Sequence, residues 1–440
     1  MTTSYVIRGS RPLGGPNVDI VVSDGLIAAI GPSVDVPTDA REVSAHDLVA
    51  LPGLVDLHTH LREPGREDAE TVLSGSQAAA AGGYTAVCAM ANTNPVADTA
   101  GTVEQVWRLG QQAGLVDVQP VGAVTMGLAG TQLAELGAMA DSAARVRMFS
   151  DDGKCVHDAV LMRRALEYVK AFDGVIAQHA QEPRLTEDAQ MNESALSGIL
   201  GLRGWPAVAE EAIIARDVLL ADHVGSRLHV CHVSTAGSVE IIRWAKSRGI
   251  DVTAEVTPHH LLLTEELVRS YDPIYKVNPP LRSERDVHAL REALADGTID
   301  VVATDHAPHP AEDKDCEWAE AAMGMVGLET AVGVVAEAMI STGLMDWAGV
   351  AERMSMQPAV IGRLAGQGRA LAVGEPANIT LINTSVPYLV EPRALRSASR
   401  NTPYAGRSLP VSVWTTFYKG ELTLDEGVLV NQARNAASAG

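Results

Sequence analysis

The run LVDLHTH at residues 54–60, apolar until it closes on two histidines, sets the reading of this chain. Seven runs of similar build follow it: YTAVCAMAN (84–92), VDVQPVGAVT (116–125), ARVRMFSDD (144–152), GVIAQHA (174–180), SRLHVCHVST (226–235), DVTAEVTPHHL (251–261) and DVVATDHAPH (300–309). Most gaps between them carry helical periodicity, as in AVLMRRALEYVKAF (159–172) and VAEEAIIARDVLLADHV (208–224). Alternating β/α units of this number predict an α/β fold of the (β/α)8 TIM-barrel type, with its chemistry at the C-terminal ends of the strands. The alternative is an open doubly wound sheet, but no GxGxxG follows an early strand.

The two ends read differently. YVIRGSRPL (5–13) and VDIVVSDGLIAAIGP (18–32) alternate apolar and polar residues around Gly and Pro turns, and so do ANITLINTS (377–385) and VSVWTTFYKGEL (411–422). This predicts a small β-sandwich domain built from both termini, residues 1–50 and 366–440, around a barrel over 51–365. The closing NQARNAASAG (431–440) reads as a frayed tail.

Composition narrows the function. The chain has 440 residues, 34 Lys+Arg and 55 Asp+Glu, for a net charge of −21. Apolar residues make up 46% and charged residues 20%, enough for a large core. The acidic balance argues against a nucleic-acid or anionic-membrane surface. Cys88, Cys155, Cys231 and Cys316 form no CxxC pair, which suits a reducing cytoplasm. The N-terminal segment lacks signal-peptide character, and no apolar run approaches the ~20 residues of a membrane span.

The chemistry is predicted at the strand ends. His58 and His60 lie two apart on the first strand, so they share a face and can share a metal ion. Asp152 closes the fourth strand, His179 the fifth, His232 the sixth and Asp305 the eighth. Strict alternation places Val175, Ala177 and His179 on one face, and Val301, Ala303 and Asp305 on another; it also groups Leu228, Val230 and His232 against His229. Any one such residue is more often a satisfied core histidine or a helix cap. Together, four His and two Asp without thiolate suit Zn²⁺, with Mn²⁺ or Co²⁺ as alternatives. Six ligands fit two ions about 3.5–4 Å apart, one held by His58, His60 and Asp305, the other by His179 and His232, with Asp152 bridging. A bridging hydroxide would be the nucleophile, and Asp305 the general base and acid.

Other groups carry weaker signals. Arg62 follows the HxH pair, and a guanidinium there suits an anion in bidentate fashion. Asn92 in ANTNP and Asn278 in KVNPPLR also suit turns, as both neighbour proline. His309 follows Asp305 by four residues, and either His259 or His260 is a candidate to line the pocket. The acidic segment 308–325 reads equally as a mobile lid or a solvated linker.

These motifs resemble the cyclic amidohydrolases, and within them the class I dihydroorotases. The resemblance is carried by LPGLVDLHTHLREPG (51–65), AMANTNP (89–95), FSDDG (149–153), HVCHVST (229–235), EVTPHHLLLT (255–264), KVNPPLR (276–282), ATDHAPH (303–309), GMVGLET (324–330) and NTPYAGRSL (401–409). It implies zinc-dependent, reversible cyclisation of N-carbamoyl-L-aspartate to L-dihydroorotate in de novo pyrimidine biosynthesis. It implies His58, His60, Asp152, His179, His232 and Asp305 as zinc ligands and Asp305 as the catalytic acid/base. His60, Arg62, Asn92, Asn278, His309, Met323 and Gly324 match the family's substrate contacts; Met323 stands where relatives commonly carry Phe. Hydantoinases and many dihydroorotases bridge their metals with a carboxylated lysine, whereas here Asp152 holds that place and Lys154 lies beyond Gly153. Two zinc ions per subunit are expected, or one as purified.

Two other readings compete. A hydantoinase or allantoinase shares the resemblance at superfamily level, but LREPG with Arg62 favours a carboxylate-bearing substrate. An inactive dihydroorotase-like subunit supporting an aspartate transcarbamoylase would be expected to lose ligands, and all six are here. A homodimer and activity that depends on that transcarbamoylase are further expectations of the resemblance.

Overall fold

The structure, a computed structural model, describes residues 3–430, so the tail expected at 431–440 lies outside the described residues. Eight short strands from the centre of the chain run parallel. In order they are β1 (Leu54–Thr59), β2 (Tyr84–Ala89), β3 (Asp117–Pro120), β4 (Met148–Phe149), β5 (Val175–Gln178), β6 (Leu228–Val230), β7 (Val252–Val256) and β8 (Val301–Val302). β1 pairs with β2 and β2 with β3. β4 through β8 pair in sequence order. Single parallel bridges, Gly122 to Phe149 and Thr59 to His306, join the two groups at both junctions, so the pairing returns to its start.

Helices fill the gaps for local reasons. Asp158 accepts from the N–H groups of Val160 and Leu161 and starts helix Ala159–Val169. Ser283 and Asp286 form a reciprocal capping box on Glu284–Asp296. Gly225, at φ 65°, ends Val208–Val224 with the left-handed residue that glycine supplies at least cost. The apolar stripes of these helices, such as Met162, Ala165, Leu166 and Val169, join outward-facing strand residues in the largest core cluster. A second cluster holds Val55, Leu57, Cys88, Met148, Val175, Ala177, Cys231, Val301 and Ala303, with Ile361 from the end of the last helix, Gln357–Ile361, and Leu364 just past it. Val175, Ala177, Val301 and Ala303 share strand parity with His179 and Asp305, so this cluster is the inner face beneath the site.

Several expected strands are shorter than their apolar runs. The third ends at Pro120 rather than Thr125, the fourth at Phe149, the sixth at Val230 and the eighth at Val302. In the fourth, sixth and eighth runs the final residues leave the ladder and carry polar groups of the site, Asp152, His232 and Asp305. The seventh run ends instead in the short helix Pro258–Leu262, with the Thr257 side chain accepting from the N–H of His260.

Strands from both ends form one nine-stranded sheet. Val49–Pro52 pairs with Tyr5–Pro12 on one side and Ile379–Asn383 on the other, which sews the two ends together. Tyr5 and Phe417 lie three strand steps apart, about 14 Å in a flat sheet. Their rings meet edge-on at 5.3 Å. The sheet therefore doubles over, and Ile7, Ile20, Ala50, Ile379, Leu381 and Leu422 share one core. The two layers expected for this region come from one continuous sheet. Among the described residues, no helix is long and apolar enough to cross a membrane.

Candidate active site

The sequence-derived alternation holds for β5 and β8 and fails for β6. Leu228 and Val230 belong to the helix-facing cluster, whereas Cys231 belongs to the inner one. His229 also faces inward, its Nε2 2.9 Å from Glu255 Oε2. Continued alternation would send His232 outward, but its φ of 32° turns it back toward the site. Asp305 likewise has φ 47°. Such left-handed backbone is uncommon outside glycine and persists where the surroundings enforce it. In β1, Val55 and Leu57 are in the inner cluster, and the register against β2 shifts between Asp56 and Thr59. That irregularity accompanies the entry of His58 into the site.

The six strand-end residues converge. His58 Nε2 lies 3.2 Å from Asp152 Oδ1 and 3.5 Å from Asp305 Oδ1. His60 Nε2 lies 3.0 Å from Asp305 Oδ1 and 3.3 Å from Asp152 Oδ2. On the other side, His179 Nδ1 and His232 Nε2 each lie 3.3 Å from Asp152 Oδ1 and 2.9 Å from one another. Two donor groups compact enough for a metal ion result, His58–His60–Asp152 and Asp152–His179–His232, with Asp152 common to both.

The electrostatics fit a cation there. Burial opposes charge on His58, yet Asp152, Glu255 and Asp305 outweigh it and raise the imidazole well above its ordinary value. Burial also opposes ionisation of Asp152, and His58, His179 and His232 outweigh it and hold the carboxyl well below its ordinary range. The carboxylates thus face a position that asks for positive charge. His58 Nε2 is buried without a hydrogen-bond partner, as expected of a donor atom reserved for a ligand. A donor set of imidazoles and carboxylates suits a divalent ion such as zinc.

A surrounding layer fixes these rings. His58 Nδ1 is 2.6 Å from Glu255 Oε1, His60 Nδ1 is 2.9 Å from Asn92 Oδ1, and His179 Nε2 is 2.7 Å from Gln181 Oε1. Each contact places the ring proton on the nitrogen away from the cluster and leaves the other free as a donor. Asp56 accepts the N–H groups of His58 and Thr304 and ties β1 to the segment that follows β8.

A cavity of about 210 Å³ opens over the cluster, lined by His60, Arg62, Asn92, Asp152, His179, Asn278, Asp305, His309, Met323 and Gly324 among others. Every residue expected to bind substrate lies on this wall. Arg62 donates from Nε to the Pro308 carbonyl, and its Nη2 lies 3.4 Å from His309 Nε2. Burial pulls Arg62 down to about 10, against the pull of Asp305 and Asp152. Among the described residues no carboxylate lies within ion-pair distance of it. Asn278 directs Nδ2 to Gln181 Oε1 at 3.2 Å, and its buried Oδ1 has no partner. Gly324 has φ 148°, and a Cβ there would fall 2.7 Å from Ala307 Cβ and 2.8 Å from His309 Nε2, so only glycine fits. His309 Nε2 donates to the Met323 carbonyl at 3.0 Å.

Some groups stand apart. Neither His259 nor His260 lines this cavity. His260 is held by Thr257 and by the Pro279 carbonyl, and burial pulls His259 down to about 4. Lys154 is exposed and lines a neighbouring cavity with His157 and Gln181. Sequence reasoning missed Glu255, Gln181 and Asn401, whose side chain holds the backbone of Ala307, His309 and Gly324. A carboxylate inside the buried run TAEV is a legible signal, because a buried charge requires partners. Gln181 and Asn401 carry no such mark.

Comparison with known proteins points to one family. The family model described as "Dihydro-orotase-like" matches residues 47–238. A dihydroorotase of Streptomyces coelicolor is 70% identical over 96% of this chain and 99% of its own length. One from Mycobacterium tuberculosis is 56% identical, again over 96% and 99%. Among solved structures, an L-hydantoinase (dihydropyrimidinase) from Arthrobacter aurescens superposes with a TM-score of 0.86 at 26% identity, covering 98% of each chain. With relatives this similar over almost their full length, the chain belongs to the dihydroorotase family.

Proposed function

We propose that this chain interconverts N-carbamoyl-L-aspartate and L-dihydroorotate, with a zinc pair held by His58, His60, Asp152, His179, His232 and Asp305. The observation that carries the reading is the convergence of Arg62, Asn92, Asn278 and His309 on the cavity above the cluster. The ring of eight parallel strands is read as a (β/α)8 barrel over 51–365, with the doubled sheet of 1–50 and 366–440 as its companion domain. When bound, the ions supply Lewis-acid chemistry, lowering the pKa of water toward ~7 and polarising a carbonyl.

The chain's residues do the rest. Arg62 meets the substrate carboxylate with its guanidinium fork, beside the Asn92 amide nitrogen and His309. The unpartnered Asn278 Oδ1 accepts a ring N–H. In the hydrolytic direction Asp305 takes the proton released by the attacking water and delivers it to the departing ring nitrogen; synthesis runs the same transfers in reverse. The anionic substrate is compatible with a net charge of −21, because the zinc pair and Arg62 make the site locally positive.

The test is to assay dihydroorotate, hydantoin and allantoin side by side with zinc analysis of the purified protein. Turnover of dihydroorotate with bound zinc is the expected result. Preference for hydantoin or allantoin, or full activity without metal, would overturn the reading. A cytoplasmic setting, a homodimer and an aspartate transcarbamoylase partner belong to the same proposal. Gel filtration with and without the transcarbamoylase tests the last of these.

A further inference from the structure

Resting on the metal-binding reading above, we propose that Glu255 is the positioning residue that couples the two halves of the metal cluster, holding the His58 side chain on one side and the His232 peptide on the other. Its carboxylate is completely buried. Oε1 lies 2.6 Å from His58 Nδ1 and also accepts the backbone N–H of His232 at 3.2 Å. Oε2 is 2.9 Å from His229 Nε2, whose Nδ1 lies 2.8 Å from Thr253 Oγ1. One side chain on β7 thus reaches a ligand from β1 and the backbone of a ligand following β6.

Each contact has a distinct consequence. At His58, an acceptor on Nδ1 fixes the proton there and leaves Nε2, the buried atom without a partner, as a free donor. At His232 the carboxylate acts on the main chain. That residue would face outward by alternation and reaches the cluster only through its left-handed backbone, φ 32°. Its N–H is anchored at that bend by Glu255, so the uncommon conformation is held by a charge-assisted bond. His229 in turn occupies the second oxygen and keeps the carboxylate from rotating. A glutamine in place of Glu255 would present an N–H to one of these donors, so it could not serve both histidines and the peptide together.

The test is metal binding measured on the folded protein, apart from turnover. Wild-type and Glu255→Gln protein are stripped with a chelator and titrated with zinc against a chromophoric competitor, then with Co²⁺ while its visible ligand-field bands are recorded. Melting of both apoproteins is measured in parallel. Glu255→Gln is expected to bind zinc about 10–100-fold more weakly, with altered cobalt bands, whatever its apoprotein melting temperature loses. Wild-type zinc affinity and cobalt bands in the variant overturn the proposal, as does a lowered apoprotein melting temperature with unchanged zinc affinity, which marks a merely structural role. If Glu255→Gln does not fold, His229→Gln, which keeps the carboxylate, should weaken zinc binding several-fold, and unchanged affinity overturns the proposal. A wild-type protein that binds no zinc would instead remove the functional reading beneath it.

Discussion

His60 Nδ1 and Asn92 Oδ1 lie 2.9 Å apart, so the amide oxygen of Asn92 is committed to His60, a proposed metal ligand, and only its amide nitrogen remains for a ligand. Asn92 therefore serves two masters, and two substitutions separate them. Asn92→Asp keeps the acceptor for His60 but sets a negative charge beside the substrate carboxylate. It should raise KM for dihydroorotate at least about tenfold while zinc content stays at the wild-type value. Asn92→Leu removes the acceptor as well and should also lower zinc content. Steady-state kinetics with metal analysis on both variants reads the difference.

Arg62 is predicted to be the main carboxylate anchor. Its charge sits on the cavity wall without an ion-pair partner among the described residues, so substrate supplies the missing anion. Losing one to two charge-assisted hydrogen bonds costs about 3 kcal/mol, or roughly a hundredfold. Arg62→Met should raise KM by about that factor. Arg62→Lys keeps the charge without the fork and should recover only part of the loss. A KM change below about threefold in Arg62→Met would remove this role.

Asp305 lies 3.0 Å from His60 Nε2 yet shares its cluster with five other ligand-type side chains. Asp305→Asn retains one oxygen able to coordinate and loses the carboxylate proposed to move the proton. It should keep substantial zinc and lose about 10²–10⁴-fold in turnover. Zinc content and kcat measured on one preparation decide this. More than about a tenth of the wild-type rate would exclude proton transfer by Asp305.

How much of this was legible in the sequence depends on where a side chain gets its direction. His179 and Asp305 follow apolar runs whose alternation continues into the inner cluster, so counting by twos finds them. His232 is also on the site, but by a different route: the strand ends at Val230 and a left-handed residue reverses the parity. A backbone turn of that kind leaves no periodic trace. The doubling of the terminal sheet is equally silent, because it rests on contacts such as Tyr5 with Phe417, more than 400 residues apart. The pairing of both ends was legible, since each alternates apolar and polar residues around turns.

His259 makes acid stability testable. It is buried, its Nε2 has no partner, and burial pulls it down to about 4. In the unfolded chain it titrates near ~6.5, so between about 4 and 6.5 the unfolded state binds more protons and stability rises with pH. The contribution is therefore intact above ~6.5 and is lost as pH falls toward 4, to a total of order 3 kcal/mol. Burial pulls His260 and His309 the same way. Buried carboxyls such as Asp56 and Glu329, each raised by burial to about 7, act in the opposite sense, so the contribution of His259 is read as a difference. In denaturant unfolding of the metal-free protein from pH 7 to pH 4, His259→Asn should gain stability relative to the wild type as pH falls. An unchanged slope in the variant would assign the acid sensitivity elsewhere.

The segment 308–325 is predicted to behave as a pinned wall of the cavity. Two lysines hold it by main-chain carbonyls. Lys276 Nζ reaches those of Trp318 and Ala319 at 2.6 and 3.0 Å. Lys314 Nζ reaches those of Lys276 and Ala322 at 3.1 and 2.9 Å. Both side chains are buried, and the Gly324 N–H also donates to the Lys276 carbonyl. These ties bind the strip carrying Met323 and Gly324 to the one carrying Asn278, so loosening one should disturb the other. Limited proteolysis should cut this segment slowly, and at similar rates with and without dihydroorotate. Lys314→Met should speed cleavage there severalfold and raise KM more than it lowers kcat, because a looser wall costs substrate positioning before chemistry. Strong protection by substrate in the wild-type protein would instead favour the lid that the sequence also allowed, since a closing segment gains its order only when the site is filled.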